Sequence, residues 1–337
     1  MSESSSCPHV VILGAGPAGC TLAGLLAQRG FAVVVCDDEK RPELLVGESL
    51  IPGVVPVFRQ LGIEDRVAKM STLKPGASFF TTGGHRLHFH FSTVERQLPG
   101  YSYNTPRPEL DNLLRERAEE LGARFVKIRA GVEPCRRDGE PALRLDDRSR
   151  DAIGLPPACE ESPLLVDATG RARLFSRTLG LKAESGDRND VAYFAHYENF
   201  VHDEVEPGQV IISVLTHGWG WRIPLPGRLS VGIVVNKEHA KTLGETPEER
   251  LENAIRNEPL LREKGRVRDD PPFAVQGNPQ RAPAAGERKE RPPRHAGDDL
   301  HQLPTADRTR PWPGMVACGR RLRIRRSDAV AGSVHVA

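Results

Sequence analysis

The stretch His9-Val-Val-Ile-Leu13, Gly14-Ala-Gly-Pro-Ala-Gly19, Cys20-Thr-Leu-Ala-Gly-Leu-Leu-Ala-Gln-Arg-Gly30 and Phe31-Ala-Val-Val-Val-Cys36 decides the fold. Its two ends are short β-branched runs, the pattern of strands buried on both faces. Between them lie a glycine loop and an apolar helix closed by Gly30. Strand, loop, helix and strand in this order predict a right-handed βαβ unit. Gly14, Gly16 and Gly19 spell G-x-G-x-x-G: a tight turn, close backbone approach to a pyrophosphate, and close helix–strand contact. Pro17 and Ala18 open the helix, whose unpaired first-turn amides and positive dipole end suit phosphate. Asp37 closes the second strand, where a carboxylate accepts from ribose hydroxyls and disfavours a 2′-phosphate. A chance glycine loop would lack these flanks, so the unit reads as a dinucleotide site.

Outward from this unit, Leu50–Met70 reads as helix interrupted near Pro52 and Pro56. Residues 76–104 alternate in strand fashion, as in Arg86-Leu-His-Phe-His-Phe91. Arg107–Gly122 carries Leu110, Leu113, Leu114, Ala118 and Leu121 on one helical stripe. Strands are expected at 124–128 and 164–167, strand-like runs fill 191–235, and Thr246–Arg262 reads as one helix. The fold class is therefore α/β: a Rossmann-like nucleotide domain interleaved with a β-rich one. The first is assigned to residues 8–72 plus 105–185, and the second to 73–104 plus 186–265.

The 337 residues hold 47 Lys+Arg against 45 Asp+Glu, a formal charge of +2. Binding to nucleic acid or to an anionic membrane needs a basic excess, so neither partner is expected. Nothing approaches the roughly 20 apolar residues of a membrane span. The N-terminus lacks an apolar signal core, so a cytoplasmic location is expected. Cysteines at 7, 20, 36, 135, 159 and 318 include no C-x-x-C pair, which suggests neither a disulfide framework nor a thiolate metal site. His88 and His90 share one strand face without a third ligand nearby, so no metal is expected. From Val267 to Gly314 only six of 48 residues are large apolar or cysteine. Residues 266–337 are accordingly expected to be a disordered or non-native tail.

Further motifs carry a resemblance. They are Gly47-Glu-Ser-Leu-Ile-Pro52, Tyr101-Ser-Tyr-Asn-Thr-Pro-Arg107 running to Asp111, and Asp167-Ala-Thr-Gly170. With the glycine loop they resemble FAD-binding enzymes of the glutathione-reductase/aromatic-hydroxylase type. Gly218-Trp-Gly-Trp-Arg-Ile-Pro224 matches the W-x-W-x-I-P motif of the flavin-dependent halogenases, and Lys74 stands where that family carries its catalytic lysine. The resemblance covers residues 9–265 and points to the non-tryptophan branch, whose substrates are phenols, pyrroles or carrier-protein-tethered rings.

The resemblance implies FAD, used as FADH2 from a separate flavin reductase, with O2 and chloride as co-substrates. Hypochlorous acid formed there is relayed to an electron-rich aromatic by Lys74, through a hydrogen bond or a chloramine, in secondary-metabolite biosynthesis such as that of antibiotics. An amine suits the relay because it donates hydrogen bonds and, with its pKa lowered by burial, is a nucleophile. Without the resemblance a lone lysine reads as a solvated loop residue. Trp219, Trp221 and Pro224 are implied to wall flavin from substrate, although two tryptophans at i, i+2 equally fill one face of a core strand. Cofactor contacts are assigned to Gly14, Gly16, Pro17, Ala18, Gly19, Asp37, Arg41, Glu48, Ser49, Arg107 and Asp167.

The family's second flavin motif, G-D-A-x-x-F-x-D-P, is absent from residues 266–332. Codons can be chosen for residues 318–332 whose adjacent frame spells it, so the tail is expected to reflect a frameshift and truncation. A related FAD-dependent monooxygenase or reductase, or a non-catalytic remnant, are the competing readings.

Overall fold

A computed structural model describes residues 7–40, 45–93, 97–137, 139–156, 163–182, 189–198, 206–262 and 275–279. In chain order the elements begin β1 (Val10–Leu13), α1 (Pro17–Ala27), β2 (Val33–Asp37), α2 (Val55–Leu61), α3 (Glu64–Lys69), β3 (Thr72–Lys74), β4 (Gly76–Thr81) and β5 (Arg86–His90). Then follow β6 (Ser102–Asn104), α4 (Arg107–Glu120), β7 (Arg124–Lys127), β8 (Val132–Arg137), β9 (Glu140–Leu145), α5 (Asp147–Ala152), β10 (Leu164–Asp167) and α6 (Leu174–Thr178). The last are β11 (Asp190–Tyr197), β12 (Val210–Leu215), β13 (Gly218–Leu225), β14 (Arg228–Asn236), α7 (Lys237–Ala240), α8 (Pro247–Asn257), α9 (Pro259–Arg262) and β15 (Val275–Pro279).

The first sheet is parallel, in the order β10-β1-β2-β7. Its central strands are buried on both faces, which is why they read as unbroken Val/Ile/Leu runs. Val10, Ile12, Val33 and Val35 meet Cys20 and Ala23 of α1 and Leu110, Leu114 and Ala118 of α4. Val11, Leu13, Val34 and Cys36 face the opposite way, against Leu145, Ile153 and Leu155. That second layer is built by the β8–β9 hairpin with α5.

The second sheet has seven strands in the order β15-β11-β14-β13-β12-β4-β5. All its pairings are antiparallel except β12 with β4. Tyr193, Val231, Ile233 and Val235 face the helical layer through Leu251, Ala254 and Leu261. On the other face one cross-strand row runs Phe79, Ile212, Trp221, Gly232, Phe194. This alternation is the period-2 signal that the sequence carried.

Two expectations are corrected. The helix expected over Thr246–Arg262 starts as read, with a capping box between Thr246 and Glu249, but breaks at Glu258. Pro259 excludes the helical conformation from the residue before it, and Glu258 sits at φ −92, ψ 114. Within the tail expected to lack structure, only Val275–Pro279 is described, and there it pairs antiparallel with β11 as an edge strand. The rest of that tail, and with it the frameshift, lies outside the described residues.

Cys36 is a buried free thiol, whereas Cys7 is disulfide-bonded, a cross-link the scattered spacing did not suggest. No helix among the described residues is long and apolar enough to cross a membrane.

Gly232 is one point where the second sheet leaves no room for a side chain. A Cβ there would lie 2.2 Å from Trp221 Cζ2, and the rigid indole has little room to yield between Phe194 and Trp219. Gly232→Ala is expected to cost about 1–3 kcal/mol through overpacking. Urea denaturation followed by tryptophan fluorescence measures this, and an unchanged midpoint would refute it.

Candidate functional site

The glycine loop lies between β1 and α1, at the carboxyl end of the parallel sheet. Gly14 has φ +107, and a Cβ on it would strike the Ala168 carbonyl oxygen at 2.5 Å. A Cβ on Gly19 would meet the Gly14 carbonyl oxygen at 2.0 Å. Gly16 differs, because nothing lies within 4 Å of a Cβ there. Its missing side chain therefore leaves open space rather than relieving a contact inside the protein. Gly16 is also the N-cap of α1 and supplies no side-chain cap, and Pro17 at N1 has no N–H. The first-turn amides of Ala18 and Gly19 are thus directed at an open cradle, which fits a pyrophosphate.

Asp37 holds the loop from beneath. One carboxylate oxygen accepts from the Ala15 amide at 3.1 Å and the other from the Glu39 amide at 3.0 Å. Asp167, at the end of β10, accepts from the Thr169 amide and hydroxyl and from the Phe175 amide. Arg107 is turned inward, paired with Asp111 at 3.0 Å and donating to the Val46 carbonyl. That places its guanidinium under Gly47, which adopts φ +97. Arg41 lies outside the described residues.

The segment after Gly47 behaves as a third strand in a small layer. β3 and β6 pair antiparallel, and the free edge of β6 takes residues 48–50. The Thr105 amide donates to the Glu48 carbonyl at 2.7 Å, Ser49 bridges Asn104, and the Leu50 amide donates to Tyr103 at 2.9 Å. Lys74, opposite Ser102 in this layer, reaches across and donates from Nζ to the Leu50 carbonyl at 2.9 Å. The amine lies 5.0 Å from the Phe91 ring centroid. Lys74 is only 6% exposed, and burial lowers its pKa to about 8. The solvated-lysine reading is thereby corrected, since its flanking neighbour Leu73 is the exposed residue.

Sequence reasoning missed two neighbours. Ser102 and Asn104 are fully buried, and among the described residues Ser102 Oγ and Asn104 Oδ1 have no hydrogen-bond partner, while Asn104 Nδ2 donates to the Gly208 carbonyl. The alternation in Tyr101-Ser-Tyr-Asn104 was the available signal: the tyrosines turn toward Glu64, so the small polar residues fall on Lys74's face.

Trp219 and Trp221 share one face of β13 with ring centroids 5.7 Å apart, and Trp221 Nε1 donates to Ser230 Oγ at 3.3 Å. By the same alternation Pro224 falls on the other face, with buried Arg222, so the structure does not bring the three together. His88 bonds Ser78 and His90 meets Glu206, and no metal-binding cluster of three occurs among the described residues. A shallow cavity of about 310 Å³ shares no lining residue with the Lys74 layer.

Residues 8–151 match the family model described as FAD binding domain, and residues 99–268 match the one described as tryptophan halogenase. The chain belongs to the flavin-dependent halogenase family. Its cofactor is FAD. Similar curated members include tryptophan 2-halogenase of Chondromyces crocatus, 28% identical over 266 residues, covering 77% of this chain and 49% of that protein. Another is the 1H-pyrrole-2-carbonyl-(peptidyl-carrier protein) chlorinase of Pseudomonas fluorescens, 29% identical, covering 73% of this chain and 60% of that protein. A flavoprotein/dehydrogenase from Cytophaga hutchinsonii superposes with a TM-score of 0.64 at 26% identity, over 81% of this chain and 66% of its own. The chain spans about half the length of the curated halogenases it matches.

Two measurements test the site. A Cβ on Gly16 meets no protein atom within 4 Å, so Gly16→Ala should melt like the parent yet lose at least tenfold in FAD affinity by fluorescence titration. Undiminished binding would remove the cradle. The second concerns Lys74. Its folded pKa of about 8 lies below its ordinary 10.5, so the protonated amine opposes folding below pH 8. Between these values the unfolded chain binds more protons, and stability rises with pH. The stability of Lys74→Met relative to the parent should therefore fall by on the order of 3 kcal/mol from pH 7.5 to 10.5. A pH-independent difference in urea denaturation would contradict the burial of the charge.

Proposed function

We propose that this chain performs FADH2- and O2-dependent halogenation of an electron-rich aromatic substrate, with Lys74 relaying the halogen. The observation that carries the reading is the buried Lys74 amine, bonded to a backbone carbonyl and beside the aromatic ring of Phe91. Bound FADH2 would supply the O2 activation that oxidises chloride to hypochlorous acid.

Lys74 can then act in either protonation state. As an ammonium it donates a hydrogen bond to the oxygen of hypochlorous acid and holds the electrophile. As a neutral amine its lone pair attacks chlorine, an N–Cl bond forms, and the O–Cl bond breaks with release of water. Attack by the aromatic carbon on that chlorine returns the amine, and the ring loses a proton. A pKa near 8 keeps both forms present at cellular pH. Partly buried Phe79 and Trp219 lie on the sheet face whose core holds Trp221 and Phe194, and the indole pair is the candidate wall between flavin and substrate.

In this reading residues 8–72 with 105–185 hold the cofactor, and 73–104 with 186–265 receive the substrate. Gly14, Gly16, Ala18, Gly19 and Asp37 contact FAD, with Pro17 setting the helix start. Glu48, Ser49, Arg107, Asp167 and Arg41 support the flavin side, and Pro224 braces β13. A flavin reductase supplies FADH2 in the cytoplasm. The likeness to the pyrrole-carrier chlorinase supports a substrate tethered to a carrier protein in secondary metabolism.

The purified chain, given FADH2, O2, chloride and phenol or carrier-bound pyrrole panels, should yield products with chlorine's isotope pattern. Lys74→Ala should lose at least a hundredfold in chlorinated product while still binding FAD. Oxygenated product without halogen would turn the reading to a monooxygenase, and no turnover with intact FAD binding would leave a flavin-binding remnant.

A further inference from the structure

Glu48 and His196 lie 148 positions apart in sequence and meet at 2.7 Å. Both are withdrawn from solvent, with side chains 3% and 12% exposed. The contact joins two separate bodies of structure. Glu48 belongs to the segment laid along β6, whereas His196 projects from β11 on the aromatic face of the seven-stranded sheet, beside Phe194. Its cross-strand partner is Ser230, the residue that accepts from Trp221.

Such a pair is a poor device for stability. Desolvating a carboxylate offsets much of what its partner returns, and an apolar pair of similar volume does as well. What the pair supplies is geometry, because a buried carboxylate tolerates few positions. A carboxylate only accepts, so His196 Nε2 carries the shared proton when Glu48 is ionised. Fixing Glu48 fixes the backbone that follows, and two residues later the Leu50 carbonyl receives the Lys74 amine.

We propose that His196 is a positioning residue for Lys74: it clamps Glu48 and so fixes the strand whose Leu50 carbonyl accepts from the lysine amine. The inference rests on the reading that Lys74 is the working amine, but its mechanical part stands apart from any turnover. His196 itself touches no reacting atom in this arrangement.

The test is the titration of Lys74 in the full chain carrying ¹³Cε-labelled lysine, without substrate, its signal assigned by loss in Lys74→Met. The parent should show a midpoint of about 8. His196→Gln, which keeps an N–H where Nε2 stood, should retain that midpoint. His196→Leu should release the segment and move the midpoint upward toward the ordinary 10.5 as the amine gains water. A parent-like midpoint in His196→Leu, or equal displacement by Gln and Leu, overturns the proposal. If His196→Leu does not fold, Glu48→Met asks the same question from the partner: an upward shift supports the clamp and an unmoved midpoint overturns it. No halogenation is read, so a failed clamp and a failed halogenase reading are distinguishable.

Discussion

Strand β6 is held on both edges, and the chemistry of this protein depends on that. On one side lies β3 with Lys74 at its end; on the other lies Glu48-Ser-Leu50, added by backbone hydrogen bonds. Three residues of backbone thus fix an amine, a carboxylate and a hydroxyl relative to one another. Main-chain pairing is a firm way to do this, since each bond constrains two dihedrals on either side without using a side chain. Side chains are then free for function. Ser102 and Asn104 are the extreme case: they are buried, and among the described residues Ser102 Oγ and Asn104 Oδ1 find no hydrogen-bond partner, which an ordinary core would not tolerate.

Around this layer the two sheets play different mechanical parts. The parallel sheet is closed on both faces by helices and by the β8–β9 hairpin, so the glycine loop rests on a rigid floor. The seven-stranded sheet is covered on one face by α7, α8 and α9, while its aromatic face carries Trp221 and Phe194. Gly232 lets the indole of Trp221 lie flat across the next strand instead of standing upright. The indole pair is at once packed core and exposed edge, because Trp219 is only partly buried.

The parallel unit was legible in the sequence because its signal is local: a β-branched run, three glycines at fixed offsets and an acid at the next strand's end. The hairpin β8–β9 was less visible, since Arg, Glu and Pro crowd residues 132–145 and only a few positions are apolar. The Asp138-Gly139 dipeptide was the usable clue, as such pairs favour tight hairpin turns. Lys74 could be singled out only by likeness to a family, for nothing in Leu73-Lys-Pro-Gly76 announces burial. Its desolvation comes from β6 and Phe91, residues that alternation places but that composition cannot. The meeting of Glu48 with His196 had no sequence signal, because a contact across so long a separation is set by tertiary closure alone.

That closure has a temporal side. β12 pairs in parallel with β4, so Val210 lies beside Ala77 and Val214 beside Thr81. Parallel neighbours so distant along the chain assemble slowly, since the loop entropy between them must be lost before any pairing compensates it. The glycine-loop floor shares this delay, because β1 pairs in parallel with β10 and Val10 lies beside Leu164. The partners of the amine are local by comparison: Leu50, Phe91 and Ser102 all come from the stretch around Lys74 itself. During synthesis the lysine can therefore be covered while the cofactor cradle still waits for its last strand.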